Sequence, residues 1–187
     1  MKTNITHTLV DEHRLILRMI AVLEKNASLT AAGEYLNWQF YLDAIDFIRN
    51  YADQFHHAKE EDVLFKALVK NGMPKDNSPV AAMLMEHDQG RNFVRALEAA
   101  VHKAAAKNTV TYQIVAENAL GYAALLRDHI GKEDDILYPL AERVLPESVR
   151  FDILQCYQAA EKQAPLKSFE ALVTQYEQDN QYYGEAR

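Results

Sequence analysis

Four histidines recur in this chain in matched register, and the register suits a helix. Glu12-His13 precedes His56 and Glu60; Glu86-His87 precedes His129 and Glu133. From His13 to His56 is 43 positions, from His87 to His129 is 42, and each second histidine has a glutamate four places on. Residues four apart lie one turn apart on one helix face. The pattern therefore presents an imidazole and a carboxylate together, twice, with a further imidazole upstream of each pair. Burying so many polar groups without partners would cost ~1–3 kcal/mol each. A pair of metal ions gripped between helices removes that cost, because imidazole nitrogens and carboxylate oxygens are their ligands and a glutamate can span two ions. The candidate ligands are His13, His56, Glu60, His87, His129 and Glu133.

Between the glycines and prolines, apolar residues return at helical spacing. A first helix is predicted from about Thr8 to Asn26, with Leu9, His13, Leu17 and Ile20 on one stripe. A second spans roughly Tyr35 to Lys70, with Ile45, Ile48, Ala52, His56, Glu60, Val63 and Ala67 in phase, and Asn71-Gly72-Met73-Pro74 stops it. The third begins after Ser78-Pro79, a proline suited to a first turn, and carries Val80, Leu84, His87, Val94, Leu97 and Val101. A break at Lys107-Asn108-Thr109 leads to the fourth, with Tyr122, Leu125, His129, Ile136 and Leu140, which Pro139 kinks or ends. Short connections between long helices make neighbours antiparallel. The expected fold is all-α: an up-down-up-down four-helix bundle over residues 1–145. Residues 146–187 are expected to add one or two accessory helices, split near Pro165, that pack on the bundle or mediate oligomerisation. Phe151, Leu154, Tyr157, Phe169, Leu172, Val173 and Tyr176 mark their apolar face, and the segment from Asp179 to Gly184 is expected to fray.

Spacing alone does not reject His57 with Glu61 as the second-helix pair. Phase favours His56: stepping ~3.6 residues at a time from Ile45 arrives at about 55.8 and 59.4. The repeat agrees, since Glu60-Glu61-Asp62-Val63-Leu64-Phe65 aligns without a gap on Glu133-Asp134-Asp135-Ile136-Leu137-Tyr138 when His56 matches His129. Asp134 competes with Glu133 on the fourth helix. Glu12 and Glu86 lie either on a solvated face or in a cross-helix or proton-relay contact, because ligating histidines donate their free N–H to an acceptor. His7 and His102 fall outside the repeat and read as surface residues. Tyr51, Tyr112 and Tyr122 read as packing residues, with reach to an oxygen species near the metals as the alternative.

Composition narrows the function classes. The single cysteine, Cys156, excludes an internal disulfide and any cysteine-based zinc or iron-sulfur site. A formal net charge of -7 disfavours a nucleic-acid surface. No run of ~18 apolar residues suggests a membrane span, and Arg14 and Arg18 break the apolar stretch near the N-terminus, so a cytoplasmic location is expected. Neither a glycine-rich phosphate loop nor a nucleophile elbow occurs.

At Asp53-Gln54-Phe55-His56-His57-Ala58-Lys59-Glu60-Glu61, Met85-Glu86-His87-Asp88 and Arg127-Asp128-His129-Ile130-Gly131-Lys132-Glu133-Asp134 the chain resembles the hemerythrin-like, or HHE cation-binding, family. The resemblance runs from about Thr8 to Leu145. It implies a non-haem di-iron centre in a four-helix bundle, with two bridging carboxylates and an oxo or hydroxo bridge; manganese or zinc could occupy the same ligands. In ligand set the chain is most similar to bacterial di-iron proteins that repair iron-sulfur centres under stress. Oxygen-carrying hemerythrins have a further histidine one turn from a third-helix ligand, where this chain has Met83 and Arg91 around His87. That departure argues against reversible oxygen carriage.

The resemblance implies a protein that binds or reduces a small oxidant such as oxygen, nitric oxide or peroxide, in stress response or iron-centre repair. The alternatives are a metal- or oxygen-sensing module without turnover, or an iron storage or delivery protein. The expected partners are that small molecule, a redox or iron-acceptor protein and a second copy in a homodimer, with no nucleic acid and no membrane. No catalytic residue is assigned.

Overall fold

The structure is a computed structural model that describes residues 3–105, 110–162 and 166–185. Their regular structure is helical throughout. The elements are α1 (His7–Ala31), α2 (Trp38–Phe47), α3 (Phe65–Lys70), α4 (Pro79–Ala105), α5 (Thr111–Lys132), α6 (Tyr138–Val144), α7 (Glu147–Glu161) and α8 (Leu166–Glu185). Wider π-helical turns, π1 (Ile48–His57) and π2 (Glu60–Leu64), lie between α2 and α3, and π3 (Glu133–Leu137) lies between α5 and α6.

Local chemistry sets the ends. Asn37 accepts a hydrogen bond from the Phe40 N–H at 3.2 Å to cap α2. Ser78 does the same for Ala81 at 3.3 Å, with Pro79 in the first position of α4. α1 and α3 each end on a glycine in left-handed backbone, Gly33 at φ 74° and Gly72 at φ 101°. The residue after each glycine bonds back into the helix, Glu34 N–H to the Leu29 carbonyl at 2.8 Å and Met73 N–H to that of Leu68 at 3.0 Å. This closure requires a conformation that side chains with a Cβ resist.

The first helix outruns its expected end at Asn26, because Ala27 and Thr30 remain buried and the Thr30 hydroxyl bonds both the Tyr35 carbonyl and the Tyr41 hydroxyl at 2.7 Å. Pro139 does not end the fourth helix. It sits in the first turn of α6, where a missing N–H costs little, and the helix continues to Val144. α8 runs through the segment expected to fray, as far as Glu185. The expected breaks at Lys107-Asn108-Thr109 and Pro165 lie outside the described residues.

The π turns shift the apolar stripe. Val63 and Ile136 were expected in phase, yet Ile136 is 58% exposed and Val63 is half-buried, while the next residues, Leu64 and Leu137, are buried. An i→i+5 hydrogen-bond pattern adds a residue to the turn and moves every later side chain round the axis.

α4 packs along α5, α5 along α1, and α2 against α4. The buried apolar residues form two clusters. One holds Ile16 to Ala27 of α1, Phe40 to Phe55, Val94 to Ala104, and Val115 to Ile130; the other holds Ile5, Leu9, Leu64 to Leu68, Val80, Met83 and Leu137 to Leu145. Along the long helices the buried histidines and glutamates fall between the two sets. α7 contributes Ile153 and Tyr157 to the second cluster, and α8 contributes Phe169, Val173 and Tyr176 to the first. Phe151, expected on the apolar face, is 67% exposed; Arg150 beside it is buried instead. Arg18 of α1 bonds Glu177 of α8 at 2.7 and 2.9 Å, and Tyr176 bonds Asp43. No helix among the described residues is long and apolar enough to cross a membrane.

The Arg150 guanidinium has no exposure and donates to the Leu145, Glu142 and Thr3 carbonyls and the Glu142 carboxylate, tying α6, α7 and the N-terminal segment together. Removing one member of such a buried network costs about 3–5 kcal/mol. Arg150→Met is expected to lose that much in urea denaturation followed by circular dichroism, and a loss under about 1 kcal/mol would contradict a structural role of this size.

Candidate metal centre

α1 carries His13, π1 carries His56 and His57, π2 begins with Glu60, α4 carries His87, α5 carries His129 and π3 begins with Glu133. All seven are buried. The six residues picked from the sequence converge. His13 Nε2 lies 3.0 Å from His56 Nε2, and His87 Nε2 lies 3.0 Å from His129 Nε2. Glu133 Oε2 lies 3.4 Å from His13 Nε2 and 3.3 Å from His129 Nε2, and Glu60 Oε2 lies 3.7 Å from His56 Nε2 and 3.5 Å from His87 Nε2. Each glutamate thus touches one imidazole of each pair.

The far side of every imidazole meets a carboxylate. His13 Nδ1 bonds Asp134 at 2.9 Å, His56 Nδ1 bonds Glu12 at 2.9 Å, His87 Nδ1 bonds Glu61 at 2.7 Å and His129 Nδ1 bonds Glu86 at 3.0 Å. A carboxylate accepts from Nδ1–H, which leaves the Nε2 lone pair pointing into the centre. Glu12 and Glu86 are held in turn by Lys59 and Lys132. Glu12 and Glu86 therefore make cross-helix contacts, each supporting the histidine of the neighbouring helix and not the one beside it in sequence. The competing candidates Glu61 and Asp134 take this outer role, which separates them from Glu60 and Glu133.

With the Nδ1 protons committed outward, two Nε2 atoms facing each other at 3.0 Å have a hydrogen bond to make only when one of them carries a second proton. Glu60 Oε2 and both oxygens of Glu133 are also buried without hydrogen-bond partners among the described residues. Burial and the neighbouring Glu133 push the Glu60 carboxyl well up. Burial opposes the charge on Glu133 too, but His129 and His13 hold it well below the usual carboxylate range. Burial works against a charged His13, yet Asp134 and Glu133 raise it to about 9. This is a concentration of lone pairs and negative charge with cationic partners missing, and metal ions fit it. Buried His/Glu groups able to hold an ion are His13 with His56 and Glu133, and His57 with Glu60, His87 and His129.

Sequence periodicity understated His57. Its ring lies parallel to that of His87, with centroids 3.8 Å apart and planes 9° apart. In an α-helix adjacent residues diverge by about 100°, so one of His56 and His57 should face outward. The π turn reduces that divergence, and both are buried. Tyr138 was also unassigned: it donates to Glu60 Oε1 at 2.6 Å and stacks on His13, where the aligned residue, Phe65, stacks on His87. The alignment of Phe65 with Tyr138 was the available signal. His7 and His102 lie at the surface as expected. Tyr51 packs on Phe47 and Tyr112 on Trp38, also as expected.

A sequence model of the hemerythrin HHE cation binding domain matches residues 4–141. Uncharacterized proteins of Mycobacterium bovis and of two strains of Mycobacterium tuberculosis are each 22% identical over 137 residues, covering 73% of this chain and 53% of their own length. The chain thus spans about half the length of these curated relatives. No solved structure matches it.

Outer partners of ligating histidines contribute about 10–100-fold to metal affinity. Glu12→Ala and Glu86→Ala are each expected to weaken metal binding by that factor in competition titrations against a chromophoric chelator. Wild-type affinity in both variants would remove the role given to these carboxylates.

Proposed function

Because this chain belongs to the hemerythrin HHE cation-binding domain family, we propose that it is a non-haem di-iron protein whose centre binds or reduces a small oxidant: oxygen, nitric oxide or peroxide. In this reading His13, His56, His87 and His129, with Glu60 and Glu133, would hold the ions. His57 stands beside the second pair as a further donor. The observation that carries the proposal is the double set of facing Nε2 atoms, each with its Nδ1 already committed to a carboxylate.

A bound iron pair supplies electrons and exchangeable coordination positions. The protein supplies the rest. The outer carboxylates fix the imidazole tautomers, the two apolar clusters exclude bulk water, and the Tyr138 hydroxyl holds a proton at Glu60 Oε1. The four long helices are read as an up-down-up-down bundle over residues 1–145, with 146–187 as an extension covering it; the contacts of α7 and α8 support that division. A role in stress response or iron-centre repair is part of the proposal and rests on the ligand set.

One observation favours a sensing reading. Buried Lys59, which holds Glu12, also lies 3.9 Å from Glu161 and 5.9 Å from the ring centroid of Tyr157, both on α7. A change in the charge of the centre would reach α7 through one side chain. If α7 is such a relay, the hydrodynamic shape or assembly differs between reduced and oxidised protein.

Metal analysis and Mössbauer spectroscopy of anaerobically prepared protein are expected to give two iron ions per chain, with an optical change on mixing with oxygen or nitric oxide. One ion or none per chain would overturn the paired centre, and unchanged spectra with both gases would overturn the oxidant reading. Glu133→Ala is expected to reduce the stoichiometry to one ion or none. Bound metal is also expected to raise the melting temperature, as any ligand selective for the folded state does.

A further inference from the structure

The two halves of the centre match closely except where a cavity opens. In the register that places His13 on His87 and His56 on His129, π2 and π3, the outer carboxylates and the lysines correspond, whereas π1 falls on the ordinary α-helix of α5. Two side-chain positions also break the correspondence. Ile16, buried one turn after His13, is answered by Gly90 one turn after His87; Ile130, beside His129, is answered by His57. On that side lies a cavity of about 290 Å³, lined among others by His57, His87, Gly90, Val94, Tyr122 and Leu125.

Gly90 keeps this space open. A Cβ there would lie 3.5 Å from the Tyr122 ring and 4.0 Å from Leu125, so a side chain as large as that of Ile16 would take up part of the cavity and narrow it. The volume is roughly ten times the ~30 Å³ share of a water molecule in the liquid. A diatomic gas needs far less. The exposed wall is more apolar than polar; of the arginines that line it, Arg49 is answered by Glu98 and Arg91 by Asp53 and Glu61, while Arg95 bonds the Asn92 side chain. Tyr122, in contrast, carries a buried hydroxyl with no hydrogen-bond partner among the described residues. Burial pushes its pKa well up, so it remains an O–H donor. His57 Nδ1 is likewise buried without a hydrogen-bond partner, with Asp53 at 3.4 Å.

Resting on the small-oxidant reading above, we propose that this cavity binds a neutral organic molecule with an apolar body and an oxygen head group, the class of the alkyl hydroperoxides. The head takes the Tyr122 hydroxyl and the body lies against Val94, Leu125 and Leu126. Gly90 and Tyr122 set the size and polarity of what enters.

The test uses 2-phenyl-2-propanol, a redox-inert alcohol of this shape, and the full chain. Binding is followed by saturation-transfer NMR and by amide shift mapping, with metal content measured on the same samples. Wild type is expected to bind, with shifts at Gly90, Tyr122 and Leu125; Gly90→Leu should weaken binding at least about tenfold, as should Tyr122→Phe, which keeps the ring and removes only the donor. Wild-type affinity in Tyr122→Phe overturns the assignment of the head group. No binding to wild type, or shifts confined to other surfaces, overturns the pocket. If Gly90→Leu fails to fold, the mapping and Tyr122→Phe still decide. Probe binding to a chain that holds no iron pair upholds the pocket while defeating the oxidant reading, and an iron pair without probe binding defeats the pocket alone.

Discussion

The bonds from four imidazole Nδ1 atoms to four carboxylates are the constraint on which the centre depends. Each orients an imidazole, and together they turn four Nε2 atoms toward one another, a place that suits cations. Without Asp134, Glu12, Glu61 and Glu86 the imidazoles could turn, or place a proton on the inner nitrogen and bond to each other. With them, the core holds a polar layer between two apolar clusters that folding alone does not satisfy. Cation-binding family membership and this geometry therefore agree for a physical reason: the protein part of the site is half of a structure.

The same bonds explain why charged residues are spread so widely along the sequence. Glu12 serves His56 and Glu86 serves His129, each reaching across to a neighbouring helix. Lys59 and Lys132 close each unit. A helix bearing a ligand thus also carries the support for another helix's ligand, so the centre and the packing of the bundle specify each other.

Much of this was legible in the sequence because two periods coincided. The helical spacing of apolar residues gave the all-helical architecture, and the repeat placed His13, His56, Glu60, His87, His129 and Glu133 in one layer. What the sequence concealed follows from a single departure from 3.6-residue geometry. π turns beginning at Glu60 and Glu133 rotate Leu64 and Leu137 inward in place of Val63 and Ile136, and π1 buries His57 together with His56. No residue type announces such a turn. The cross-helix targets of Glu12 and Glu86 were hidden for another reason: spacing within one helix says nothing about which neighbour stands opposite. The role of Gly90 is not legible in helical spacing either, since only the fold sets it beside the Tyr122 ring and the cavity.

Arg150 and Arg18 give the fold a temporal property. Arg150 reaches the Thr3 carbonyl, 147 positions away, and Arg18 reaches Glu177 across 159. During synthesis on the ribosome, α1 would emerge long before the α7 and α8 partners that hold the segment preceding it and its middle. The order of synthesis thereby sets an order of closure: the contacts that hold α1, and with it His13, are complete only once α8 has been translated.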